Sequence, residues 1–169
     1  MNKLVYLLFL IPFLSFSQDM NNEKLQTIYT SVSDSIQGDL GGWQFFVKEI
    51  PIMSVTDENH NRMRIISPIA DSNTLNEALI KGALVANFHT ALDVKYAVSD
   101  GVLWSVFIHP LKELSEDQVK DAVSQVYFAN INFGTSFAST SLSFPGRTNK
   151  ELEKEDEHRE EEAPKFQKL

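Results

Sequence analysis

The chain has 169 residues, with 23 acidic side chains against 15 basic ones for a formal net charge of −8, and it contains no cysteine. Without a thiol there is neither a disulfide to staple the fold nor a lipobox group to acylate, so stability must come from a packed core. An acidic chain lacking a cluster of Lys and Arg is a poor match for nucleic-acid phosphates or an anionic membrane, and those partners are set aside.

Met1-Asn2-Lys3, the apolar run Leu4 to Leu14 and the small residues around Ser15 and Ser17 have the three parts of a secretory signal peptide. The apolar run falls short of the roughly 20 residues that span a bilayer, and Pro12 interrupts it. The expectation is a signal peptide over residues 1–17, cut after Ser17, an exported product in the periplasm or the medium, and no stable membrane anchor. Residues 18–146 then match one domain of ordinary size.

Leu25, Ile28, Tyr29, Val32 and Ile36 recur at helical spacing and predict a helix from Glu23 to Gln37, with Gly38 ending it. Gly41-Gly42 separates this period from Trp43 to Ile50, an aromatic-rich strand, after which Pro51 marks a bend or an edge position. Ile52 to Val55 continues in extended form. Asp57 to Asn61 is a polar turn, and Arg62 to Ile69 returns as a strand in which Arg62 and Arg64 alternate with Met63 and Ile65.

Thr74-Leu75-Asn76-Glu77 fits a capping box, opening a helix that runs to about Phe88. Its apolar residues cover more than one stripe, which predicts burial on most sides. Asp100-Gly101, lying between runs rich in β-branched and aromatic residues, predicts a two-residue type I′ turn pairing Leu92–Ser99 with Val102–His109. Ser115-Glu116-Asp117-Gln118 is a second capping box, and Val119, Ala122, Val123, Val126, Ala129 and Phe133 give the helix after it a single apolar face.

Residues 134–146 fit either an extension of that helix or a closing strand. From Arg147 to Leu169 charge dominates and few residues are apolar, so this tail is expected to be solvated or disordered. The order is α-β-β-β-α-β-β-α: an α+β domain with an antiparallel sheet of about five strands flanked by three helices, one sheet face being left for solvent or a partner.

Chemistry is sparse. His60, His89, His109 and His158 form no zinc-like pair and have no cysteine beside them, so no metal site is assigned. There is no Gly-x-Ser-x-Gly elbow and no phosphate-binding glycine loop; no catalytic or cofactor-binding residue is assigned either. Three residues are candidates for binding. Alternation places Phe46 on the open sheet face, where an exposed apolar neighbour would make it part of an interface. Arg62 and Arg64, two apart on one strand face, have the spacing to clamp a carboxylate, although ordinary solvent-facing strand positions account for them better.

The residues Arg62 to Ile69, Asn87-Phe88, Ala91 to Ala97, Asp100 to Trp104 and His109-Pro110-Leu111, taken in this order, resemble YbjN-type domains, which are related in fold to the type III secretion chaperones. The resemblance covers about Glu23 to Phe133. It implies a helix-flanked antiparallel sheet without enzymatic activity, and a protein or peptide partner bound by a module that often forms homodimers. An export signal departs from the cytoplasmic work of those chaperones, and no functional residue carries over. The alternatives are a small-molecule or hydrophobic-ligand binder with a pocket between the central helix and the sheet, and, behind it, a hydrolytic enzyme.

Overall fold

The computed structural model of the protein describes residues 19–140; the expected signal peptide and the charged tail lie outside the described residues. In chain order the elements are α1 (Asn22–Val32), β1 (Ser35–Asp39), β2 (Gly42–Val47), β3 (Ile50–Asp57), β4 (Arg62–Asp71), a 3-10 turn (Ser72–Thr74), α2 (Glu77–His89), β5 (Lys95–Ser99), β6 (Val102–His109) and α3 (Glu116–Ile131). The strands form one six-stranded antiparallel sheet in the order β1-β2-β3-β4-β6-β5. This is the expected α+β architecture with one strand more than the sequence suggests.

The extra strand comes from the region read as the end of the first helix. α1 stops at Val32, where Ser33 turns extended and donates its N–H to the Tyr29 carbonyl. Ile36 therefore belongs to β1, and Gly38 is a strand residue at φ +114° rather than a helix terminator. Leu25 and Ile36 are eleven apart, close to three helical turns, so a strand residue completed a helical pattern by coincidence.

The expected strand from Trp43 to Ile50 is likewise two strands. Lys48 and Glu49 both have positive φ, at 46° and 72°, and make a two-residue turn that pairs Val47 with Ile50. Asp34 stabilises that turn from outside by accepting the Lys48 N–H at 2.7 Å. Pro51 is not at a sheet edge. The register places it past the last β3–β4 pair, Met53 with Ile66, where its missing N–H interrupts no ladder with β4.

The hairpin at Asp100-Gly101 turns where expected, with φ of 51° and 77°, and joins β5 to β6, although β5 begins at Lys95 and not at Leu92. The Ser115–Gln118 capping box is formed in both directions. The first box is not. Thr74 lies in the 3-10 turn and bonds the Asp71 carbonyl, while Asn76 caps α2 by accepting the Leu79 N–H at 2.9 Å.

One face of the sheet carries the core. Trp43, Phe45, Ile52, Met63, Ile65, Tyr96, Leu103 and Phe107 point into it, and α3 lies across β3, β4 and β6 with α1 beside it. Tyr29 from α1 stacks on Phe45 at 4.8 Å and meets Trp43 edge-on at 5.3 Å. Fully burying each such side chain stabilises by about 1.5–3 kcal/mol. Ser54, Ser67 and Ser105 are buried in the middle of this face, each with its hydroxyl satisfied: Ser54 by the Tyr29 hydroxyl at 2.8 Å, Ser67 by the Pro51 carbonyl and Ser105 by the Val126 carbonyl. Small side chains here let α3 approach the strands closely, and their hydrogen bonds offset the desolvation of the hydroxyls.

α2 does not lie over the sheet. It flanks the edge strand β5, where the Asn87 side chain receives the Tyr96 N–H at 2.7 Å and donates to the Tyr96 carbonyl at 3.1 Å. An amide side chain thus stands in for a neighbouring strand. Of the many apolar residues of α2, only Ala83 and Ala86 are buried. The expectation of burial on most sides fails because the helix touches the domain along one narrow line, closed below by Phe137 against Gly82. After α3, residues 134–140 form turns and bends, neither helix nor strand, and Ser139 ties them back by donating its N–H to the Thr90 carbonyl.

Candidate binding face

The sheet face opposite α1 and α3 is uncovered by any described element, and its composition is unusual for a solvated surface. Pairing register decides which residues share it, because directly opposed residues lie on the same side. One row runs through Gln44, Met53, Ile66, Val106 and Lys95, each paired with the next. A second runs through Gly42, Val55, Arg64 and Ile108. Toward the other end of the strands, Phe46 is opposite Pro51, and Pro68, Trp104 and Ala97 form a third row.

These rows place Phe46, Met53, Val55, Ile66, Trp104, Val106 and Ile108 on one surface drawn from four strands. Val55 and Ile108 are each 57% exposed, too much for core side chains, and they flank Arg64 directly. A contiguous apolar surface on a water-facing sheet is the kind that marks an interaction site.

The three candidates from the sequence all lie here. Phe46 is exposed at one corner, opposite Pro51. Arg62 and Arg64 are exposed on β4, and among the described residues neither takes part in an ion pair. Phe46 and the arginines are not one cluster: on β3 their cross-strand neighbours, Pro51 and Val55, are four residues apart, about 13 Å along the strand. Arg62 pairs with Asp57, whose carboxylate is already held by His60 through its ring at 2.7 Å and its backbone N–H at 3.0 Å. The His60 hydrogen bonds keep the Asp57 carboxyl below its ordinary value.

Sequence reasoning missed Val55, Met53, Ile66, Val106 and Ile108. Strand alternation alone could have placed each on a face, but only the register aligns them into rows.

Within the face lies a depression of about 360 Å³, lined by Gln37, Gly42, Gln44, Met53 and Val55 around the Trp43 backbone. Gly42 creates it: a Cβ added there would meet nothing within 4 Å. A second depression, of about 530 Å³, lies between the end of β4 and the β5–β6 turn, with Pro68, Asp71, Asn73 and Asp100 around it. Neither is between α2 and the sheet, where the alternative reading places a ligand pocket.

A separate apolar patch faces outward on α2. Leu84, Val85 and Phe88 share one helical side, and Phe88 is 86% exposed. The three described histidines do not converge: His60 bonds Asp57, His89 ends α2 with its ring against Phe88, and His109 faces the Pro110 carbonyl, while His158 lies outside the described residues. Among the described residues no group of three or more His, Cys, Asp or Glu is placed to hold a metal ion, and no helix is long and apolar enough to cross a membrane.

No family model matches the chain, and no curated protein matches its sequence. Solved structures do match in shape. The chain is similar to the HopA1–SchA chaperone–effector complex with 13% identity and a TM-score of 0.51, over 66% of this chain and 94% of that one. It is similar also to the Yersinia pestis type III secretion chaperone SycH in complex with a stable fragment of YscM2, with 11% identity and a TM-score of 0.50, over 67% of this chain and 98% of that one. At such identities the likeness is one of fold alone.

Proposed function

We propose that the chain is an exported, non-enzymatic module of YbjN type that binds a protein or peptide partner on the open face of its sheet. The observation that carries this reading is the set of aligned apolar rows on an uncovered face, with the Gly42 depression shaped to receive one side chain. The two structures described above are complexes of a chaperone with a protein, which favours a polypeptide over a small molecule as the occupant.

The test is selection of peptides from a displayed random library on the full chain, followed by binding to variants. Val55→Glu with Ile108→Glu should abolish binding of the selected peptides, and Gly42→Val, whose Cβ enters open space in the depression, should weaken it at unchanged stability. Peptides that bind all three proteins equally would overturn this reading.

The α2 patch supports a homodimer. Leu84, Val85 and Phe88 are contiguous and weakly tied to the rest of the domain, as an isologous contact between two copies would use them. Phe88→Asp should turn a dimer into a monomer in light scattering while leaving the fold intact. A protein whose mass is unaffected by that change does not associate through α2.

A further inference from the structure

Arg62 and Arg64 stand out against the rest of the molecule. They are unpaired cations beside an apolar surface, in a chain whose net charge is −8. The other cation of the face, Lys95, is engaged by the Ala91 and Leu92 carbonyls. Of the acids on the same face, Asp57 is held by His60, Asp71 accepts from the Asn73 backbone and side chain, and Asp39 lies at the far strand β1. The complementary chemistry is therefore a segment with clustered carboxylates followed by apolar side chains.

The chain contains such a segment. Glu160-Glu161-Glu162 is its densest acidic block, and Phe166 and Leu169 follow within seven residues of Glu162. Resting on the binding-face reading above, we propose that residues 147–169 dock onto the open sheet face of the same molecule and compete there with the partner. Glu160–Glu162 meet Arg62 and Arg64, and Phe166 covers the apolar row of Met53, Ile66 and Val106.

The tether has the reach. The last described residues are fixed beside β5, where Ser139 bonds Thr90, and β4 is two strands away. Two strand spacings amount to about 10 Å, and the sheet with its helix layer adds about 10 Å more. Nineteen residues lie between Thr140 and Glu160, and a flexible linker of that length has a root-mean-square span of about 25 Å. A linker matched to its span presents its end at an effective concentration near the millimolar range, enough to make a weak contact dominant.

Trp104 reports on this directly. It belongs to the open face, whereas the only other tryptophan, Trp43, is 2% exposed and sealed in the core. Acrylamide quenching of the full chain thus reads the cover over Trp104. In low salt the wild type should be shielded. Glu160→Lys/Glu161→Lys/Glu162→Lys, or Arg62→Glu/Arg64→Glu, or about 0.5 M salt should raise the quenching constant about twofold, because exposed charge pairs are screened over a few ångströms there. Combining the two sets of reversals should restore the shielding.

Equal quenching in all four proteins overturns the proposal, and so does shielding that disappears on dilution, which would assign the cover to a second copy. The two readings fail separately. Selected peptides that bind the tail-reversed and wild-type chains alike exclude the competitor but leave the binding face standing. Peptides indifferent to Val55→Glu/Ile108→Glu exclude the face itself.

Discussion

Gly38 and Gly42 approach so closely across the first hairpin that a Cβ on Gly38 would stand 2.3 Å from the Gly42 carbonyl oxygen. With φ at +114°, Gly38 is also in a region that other L-residues rarely occupy. Gly38→Ala should therefore destabilise by about 1–3 kcal/mol. At Gly42, a few residues away, an added Cβ meets nothing within 4 Å and a β-branched side chain suits a strand, so the effect of Gly42→Val should lie within about 0.5 kcal/mol of zero or be stabilising. Urea denaturation of the two variants checks the contrast.

The Tyr29 hydroxyl and Ser54 satisfy each other in the core at 2.8 Å. Tyr29→Phe leaves a buried hydroxyl without its partner and should cost about 1–3 kcal/mol, whereas Tyr29→Phe with Ser54→Ala removes both polar groups and should recover much of that loss. A double-mutant cycle by thermal unfolding measures the coupling.

Burial pushes the phenols of Tyr29 and Tyr96 above the ordinary tyrosine value. A folded state that raises a phenol's pKa holds its proton more tightly than the unfolded chain does. The resulting stability is intact below about pH 10, the unfolded value, and is lost as pH rises beyond it. Alkaline titration should show tyrosinate absorbance appearing together with loss of the circular-dichroism signal. In Tyr29→Phe/Tyr96→Phe, stability should fall less steeply above about pH 10.

Asn76, and not Thr74, should carry the start of α2. Asn76→Ala should destabilise by about 1 kcal/mol through the lost cap, and Thr74→Ala by less, since its hydroxyl bonds only the preceding turn. Chemical denaturation monitored by helical circular dichroism separates the two.

What could be read from the sequence was what is settled locally. Asp100-Gly101 forms its turn because those two residues tolerate positive φ, and Ser115 with Gln118 closes a box within one helical turn. Lys48-Glu49 gave no such sign: neither residue favours a left-handed backbone, and the turn is held by Asp34, fourteen positions earlier. Ile36 satisfied a helical period while belonging to a strand.

α2 misled in the opposite way. Its composition is that of a buried helix, but the fold places it at a sheet edge and leaves Leu84, Val85 and Phe88 in water. The candidate site was legible residue by residue, in Phe46, Arg62 and Arg64, and illegible as a surface, because Val55 and Ile108 are brought to either side of Arg64 only by pairings between distant parts of the chain.

The Asn87 side chain occupies the outward-facing backbone groups of Tyr96 within the five-residue strand β5. Asn87→Ala should speed hydrogen exchange at the Tyr96 amide and cost about 1–3 kcal/mol.

The same clasp sets a rule for assembly. A sheet can be extended by strand pairing only where its margin is free, and an open-ended fibre needs two free margins on every subunit. With β5 blunted by a side chain, β1 is the one margin that the described residues leave open, so strand-by-strand growth through it ends once two molecules have met there.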